Sequence, residues 1–244
     1  MATLERTKTH RLVKKPQITA RYLADYMAAS ERARRTIIRG CKFQPLARVM
    51  QHDEAKLVVS KSIWEANQGA EFLTSESCRI RNKLADSDFD RDTNDLNADY
   101  VARFAKVRDK LALPEADFAA PGRSVSISIN GVKVNIELHA RLSRRTRTNK
   151  IKTGAATLRY AKGKPLAEEI GLWQSAFLFG YLQSAETAEN TEPEQKLCLT
   201  IDAYTGNSIA APTDSISRFR NMEAACATIA ERWENIEPPE PAVL

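Results

Sequence analysis

The chain has 244 residues, enough for one large domain or two small ones with a buried core. Hydrophobic residues make up 43 % and charged residues 28 %, the balance of an ordinary globular protein, and no apolar run approaches the roughly 18 residues that a transmembrane helix needs. The net charge of +6 is mild but unevenly placed: residues 1–48 carry only Glu5, Asp25 and Glu31 as acids among many Lys and Arg, whereas residues 86–99 carry six Asp against Arg91 alone.

Cys41, Cys78, Cys198 and Cys226 are widely spaced and form no CxxC pair, which argues against a zinc site or a disulfide framework. No apolar run near Met1 could serve as a signal peptide. The expectation is a cytoplasmic protein with reduced thiols, without membrane contact, of bacterial or phage-related origin.

Residues 1–16 are basic and polar and read as a flexible arm. Thr19 can cap a helix with Tyr22, Leu23, Tyr26 and Met27 on one face. A second helical pattern runs from Ser30 through Arg39. Pro45 interrupts, and residues 46–70 read as a longer helix carrying Val49, Met50, Leu57, Val58, Ile63 and Trp64. Residues 71–84 continue weakly helical. A helix is predicted over residues 92–110, where Leu96, Tyr100, Phe104 and Val107 form a stripe and the preceding Asp residues suit its positive end. Residues 114–122 read as a loop.

The chemistry then changes. Residues 124–129 alternate polar and apolar, Asn130-Gly131 is a type I′ turn signal, and residues 132–142 alternate again, so a β-hairpin is predicted. A helix is predicted from Pro165 to Leu182, a polar loop over 184–195, a strand over 196–201, a turn at Thr205-Gly206-Asn207, and a second arm ending near Pro212. Thr213 or Asp214 can cap a last helix through Trp233. Residues 237–244 form a proline-rich tail. The fold class is therefore mixed α/β (α+β). A helical region, 17–115, precedes a hairpin-helix-hairpin-helix core with a mixed sheet, 116–236.

Residues 141–164 hold Arg141, Arg144, Arg145, Arg147, Lys150, Lys152, Arg159, Lys162 and Lys164 and not one acid. Such a run costs self-repulsion unless an anion lies across it, and a phosphate backbone is the usual neutraliser. Arg141, Arg144, Arg145, Arg147, Lys150 and Lys152 are accordingly the candidate contacts to DNA or RNA.

The order hairpin, Lys150-Ile151-Lys152-Thr153-Gly154, helix with Gln174 and Tyr181, strand pair, helix resembles the nuclease core of the PD-(D/E)xK superfamily, especially its RecB-type branch. Residues 18–35 also resemble the opening helix of RecB-type proteins. The resemblance implies a metal-binding carboxylate at Glu137 and a carboxylate-x-Lys pair ending at Lys152, with Gln174 on the following helix near the nucleic acid. Lys150 puts an ammonium where the second carboxylate belongs, and it would repel a divalent cation. The resemblance thus implies a nuclease-like core that binds nucleic acid without cleaving it and holds no metal or other cofactor. Two alternatives stand beside it. One is an active DNA nuclease, with Glu137 and Lys152 catalytic, Glu168 or Glu169 as the further carboxylate, and magnesium or manganese as cofactor. The other is an adaptor or assembly subunit of a bacterial defence or mobile-element system, with the basic run meeting an acidic protein partner.

Other constellations are weaker. His52, Asp53 and Glu54 are adjacent on a predicted helix and fan out by about 100° each. His139 follows Glu137 by two residues and shares its face of a strand. The Asp86, Asp88, Asp90 opening lacks the glycine and closing Glu of a calcium loop. No phosphate-binding glycine motif occurs.

Overall fold

The computed structural model describes residues 8–46, 52–65, 68–185, 190–240 and 242–243. Among them are seven α-helices and eleven strands. Residues 8–16 are not a free arm. His10–Leu12 (β1) pairs antiparallel with Phe43–Pro45 (β3), and the Thr9 and His10 N–H groups donate to the Val243 carbonyl at 2.9 and 3.1 Å. Between these strands lie Gln17–Thr19 (β2), Ala20–Ala28 (α1) and Glu31–Lys42 (α2).

Local chemistry starts both helices. The Thr19 hydroxyl accepts the Tyr22 N–H at 3.1 Å and the Ser30 hydroxyl accepts the Ala33 N–H at 3.4 Å. Arg34 then closes α1, donating to the carbonyls of Tyr26 and Met27 at 2.9 and 3.1 Å.

Three helices follow: Asp53–Trp64 (α3), Ala70–Arg81 (α4) and Asp88–Ala105 (α5). The helix expected over 46–70 is α3, which is shorter; Val49 and Met50 lie outside the described residues. Val58 and Ile63 are buried, but Leu57 is 67 % exposed and belongs to no core. α5 begins four residues earlier than the apolar stripe indicates. The cause is Ser87, whose hydroxyl accepts the Asp90 N–H at 3.1 Å.

The chain then enters the sheets through Asp117–Ala119 (β4), Val125–Ile129 (β5), Val132–Ile136 (β6), Ala140–Arg145 (β7) and Ile151–Arg159 (β8). Asn130 and Gly131 take φ values of 45° and 82°, as the type I′ turn between β5 and β6 requires. The strand expected over 132–142 is broken at Glu137–His139: β6 stays in a three-stranded sheet (β2-β6-β5) while β7 crosses into a six-stranded one.

Glu168–Ala185 (α6), Thr191–Pro193 (β9), Leu199–Asp202 (β10), Asn207–Ala210 (β11) and Ser215–Arg232 (α7) complete the chain. The large sheet runs β11-β10-β8-β7-β4, with β9 also on β8. β8 and β10 are parallel, and α6 makes the crossover between them.

The helical and α/β halves expected from the sequence are interleaved. β2 adds in parallel to β6, and α1 packs on α6. One hydrophobic cluster joins residues of α1 and α2 to β6, α6 and α7; the other joins α3, α4 and α5 to β7, β8 and β10. The large sheet therefore has apolar material on both faces, and α6, buried from Gln174 through Leu182, is apolar nearly all round.

Candidate anion-binding crevice at the ends of the parallel strands

β8 and β10 run the same way, so their carboxyl ends open on one crevice, a frequent ligand position in parallel sheets. Its volume is about 360 Å³, and its polar lining is Arg21, Asp25, Arg159, Tyr160, Lys164 and Asp202. Asp202 is buried and fully engaged. It accepts from the Leu166 N–H at 3.0 Å, the Tyr204 N–H at 2.9 Å and the Thr205 hydroxyl at 2.6 Å, which fixes the turn after β10 to the start of α6. Arg159 is buried as well. Its guanidinium donates to Asp25 at 2.5 Å, to Gln174 Oε1 at 3.2 Å and to the Arg21 carbonyl at 3.3 Å. Burial lowers the pKa of Arg159 and Asp25 opposes the shift; a guanidinium stays protonated inside a protein. Arg21 and Lys164 are exposed and have no carboxylate partner among the described residues.

Glu137 lies on the bridge between the two sheets, half-exposed. Lys56 of α3 donates to both its oxygens at 2.9 and 3.2 Å, and His139 Nε2 stands 3.6 Å away. Burial opposes its ionisation, but His139, Lys56 and Arg21 outweigh burial and hold its carboxyl below the usual range. Burial pushes His139 down to about 4, with Glu137 resisting and Lys56 adding. The imidazole is therefore neutral near pH 7, where Lys56 and Arg21 supply the pull on Glu137. His139 Nδ1 accepts the Leu158 N–H at 3.2 Å, leaving its buried Nε2 without a hydrogen-bond partner. Nearby, His52 meets the rings of Tyr100 and Tyr160 edge-on, and these two stack with centroids 3.8 Å apart. Burial, Lys56 and Arg21 all lower the pKa of His52 against Asp53.

Glu137 and Lys152 do not share a site. Thr157 Oγ1 donates to the Glu137 carbonyl at 3.1 Å, which sets Glu137 beside Thr157, five residues and roughly 17 Å along β8 from Lys152. Nor do the run's cations form one surface. Arg144, Arg145, Lys150 and Lys152 sit at the β7–β8 turn, Arg159 and Lys164 at the other end.

At the turn, Arg144 pairs with Glu194 at 2.5 Å, and Lys150 and Lys152 share Glu192 at 2.7 and 2.6 Å, holding that carboxyl down to about 2. These acids come from β9 and the residue after it, inside the span expected to be a solvated loop. Arg145 donates to Asn149 at 3.1 Å, and Arg145 and Arg147 are exposed with no carboxylate partner among the described residues. Arg141 donates to the Pro121 carbonyl at 3.1 Å, and Lys162 pairs with Asp99 at 2.8 Å. Gln174, expected near nucleic acid, is 3 % exposed and holds Arg159. Gly154 of the Lys-Thr-Gly motif has a packing role. A Cβ there would lie on the backbone of Leu197, so only glycine admits that strand of chain.

The residues at this end of the sheet do not fit a divalent cation. Such an ion needs several uncommitted anionic oxygens, whereas Glu137 is held by Lys56, Asp25 by Arg159, and Asp202 by three donors. Glu169 is paired with Arg218 at 2.7 Å. Among the described residues no group of three His, Cys, Asp or Glu is arranged to hold a metal ion, and no helix is long and apolar enough to cross a membrane.

Arg21 and Asp25 were not legible as site residues, because they come from α1, more than 130 residues before the Arg159 they meet. Arg159 carried one signal: it follows the apolar residues Ala155, Ala156 and Leu158. No protein-family model matches the chain, and no curated protein matches it.

Proposed function

We propose that this chain binds nucleic acid through backbone phosphates and does not cleave it, on a core of the PD-(D/E)xK type whose ion-holding end has become cationic. The observation that carries the reading is Arg159. It occupies the carboxyl end of the central strand, where it has already captured Asp25, and it faces a crevice whose two uncommitted charges are Arg21 and Lys164. The strand order also supports the reading: hairpin strands, the helix α6 and then a parallel strand follow the sequence that the resemblance implies.

Chemically, the crevice can attract a phosphate but cannot activate water. Arg21 and Lys164 supply donors to an anionic oxygen, while the nearby carboxylates are already engaged, Glu137 by Lys56, Asp25 by Arg159 and Asp202 by three hydrogen-bond donors. Contacts of this kind give affinity without sequence selection and a steep dependence on salt.

The test uses the full chain with labelled single-stranded and duplex DNA and RNA, titrated from low to high salt, and with plasmid in magnesium or manganese. Binding that weakens steeply with salt, lost in R21A/K164A, with intact plasmid, is the expected result. Salt-independent affinity would rule out a phosphate-driven mode. Cleavage by the pure protein that vanishes in E137Q would restore the nuclease alternative.

A further inference from the structure

A second cationic surface lies away from this crevice. Described residues 8–46 contain ten Lys and Arg against two acids, Asp25 and Glu31, so most of these charges lack an internal counterion. Asp25 is taken by Arg159. Two of the cations are structural. Arg34 closes α1, and the Lys42 ammonium is buried, donating to the carbonyls of Trp233, Glu234 and Ile236 at 2.7, 3.0 and 2.9 Å. Lys42 thereby fixes α2 against the end of α7, with Ile38 and Cys41 turned into the core.

Among the cations left facing solvent, those of α2 form a row. Arg32, Arg35 and Arg39 fall at intervals of three and four residues, within about 60° on the helical wheel and rising roughly 4.5 and 6 Å along the axis. Arg232 of α7 joins them. Together with Arg35 and Arg39 it lines a groove of about 370 Å³ floored by Ile38 and Ile236, with Asn235 and one carboxylate, Glu237, also on its wall. Glu31 is shared between Arg35 at 3.4 Å and Arg232 at 3.3 Å, while Arg32 and Arg39 have no carboxylate partner among the described residues.

We infer that this row is a docking surface for the phosphodiester backbone of nucleic acid, tracking successive phosphates outside the crevice. The inference rests on the reading of the protein as a phosphate-backbone binder but on different residues. Charge complementarity selects a polyanion. The character of the face selects which one. The exposed residues of α2 are Glu31, Arg32, Arg35, Thr36, Arg39 and Gly40, with no aromatic or aliphatic anchor among them. A protein partner draws its affinity from such anchors, and a membrane surface requires an apolar face. A phosphate chain requires only regularly spaced donors and close approach.

The experiment is fluorescence anisotropy on the full chain with a labelled 20-mer, single-stranded and duplex, across a salt series. R32A/R35A/R39A is expected to bind duplex about tenfold or more weakly at low salt, and to lose roughly 3 from the slope of log affinity against log salt. R32K/R35K/R39K keeps the charges and is expected to keep the slope, and R32Q/R35Q/R39Q, which removes the charges but keeps polar side chains, is expected to lose it and serves where the alanine variant is unfolded, a wild-type slope there overturning the inference. Wild-type affinity and slope in the folded alanine variant would overturn the inference. If R21A/K164A abolishes binding while the α2 variant does not, the row falls and the crevice stands; if the α2 variant alone loses binding, the row stands without the crevice. Absence of binding by the wild-type chain overturns both. Displacement of the labelled strand by polyglutamate as effectively as by unlabelled DNA of equal charge overturns the row's assignment in favour of an acidic polypeptide.

Discussion

The two ends of β8 carry the same kind of side chain and use it in opposite ways. At the carboxyl end, Arg159 is 8 % exposed, and its guanidinium is divided among a carboxylate, an amide and a carbonyl from two helices. At the amino end, roughly 23 Å away, Lys150 and Lys152 meet one glutamate at the surface, Lys150 exposed and Lys152 half-buried. A charge out of water is tolerable only if its partners are fixed, so the buried end has become part of the fold. An ion pair in solvent gains little and exchanges readily. A run of nine cations is therefore not one functional unit. Burial divides it into groups that hold the protein together and groups free to meet an external anion.

Removing the buried charge is the sharpest way to break this contrast. Arg159→Met leaves Asp25 and Gln174 facing a side chain with no donor. Breaking a buried pair costs about 3–5 kcal/mol, and the lower end applies here because Asp25 is partly exposed. Urea unfolding of R159M, D25N and the double variant is the measurement. The double variant is expected to lose clearly less than the two single losses combined. A single variant as stable as the wild type would make the two ends of β8 equivalent.

His139 probes the same end by titration. Its pKa is near 6.5 in an unfolded chain and about 4 in the native state, because burial disfavours the imidazolium. Between those values the unfolded state binds a proton that the native state does not. Stability from this group is thus complete above pH 6.5 and falls as pH drops towards 4, by roughly 3 kcal/mol in all. In H139N a side-chain oxygen can still accept the Leu158 N–H, but nothing titrates there. The difference in unfolding free energy between pH 7 and pH 4.5 is expected to shrink in H139N. His52 moves in the same direction, so the dependence flattens without disappearing.

Between the two ends lies Gly154, a tight packing contact. Its Cβ position is filled by backbone of Leu197, which cannot rotate away, so Gly154→Ala is expected to cost about 1–3 kcal/mol through a shift of β8. A melting temperature equal to the wild type would remove packing as the reason for the glycine.

Gly154 also marks the limit of sequence reading. The β5–β6 hairpin was legible because Asn130-Gly131 fixes a turn by local chemistry and period-two alternation flanks it. The last helix, α7, was legible from its apolar spacing. β8 was not, although it is the central strand. With β7 on one side and β9 and β10 on the other, and apolar clusters on both faces, residues 154–159 are buried in succession and show no alternation. The break at Glu137–His139 was hidden for a related reason. Its residues keep the strand's alternation while the chain changes sheets, an outcome set by what packs on each sheet. The crevice was the least legible part. Arg21, Asp25 and Gln174 reach Arg159 from distant helices, and only the fold brings their separate positions in the sequence to one point.

The mildest change tests the exposed end. Glu192 is the shared counterion of Lys150 and Lys152, and Glu192→Gln removes its charge while keeping its shape. Exposed ion pairs contribute little, so the unfolding midpoint is expected to stay where it is. The effect belongs to binding. With Glu194 still on Arg144, the β7–β8 turn would carry Lys150, Lys152, Arg145 and Arg147 without a compensating carboxylate. If phosphates reach this end, E192Q is expected to tighten binding to labelled duplex several-fold at low salt and to steepen the salt slope by about 1. An unchanged slope would confine phosphate contacts to the other cationic surfaces, and Glu192 and Glu194 would then be a neutralising device that keeps this hairpin out of the interaction.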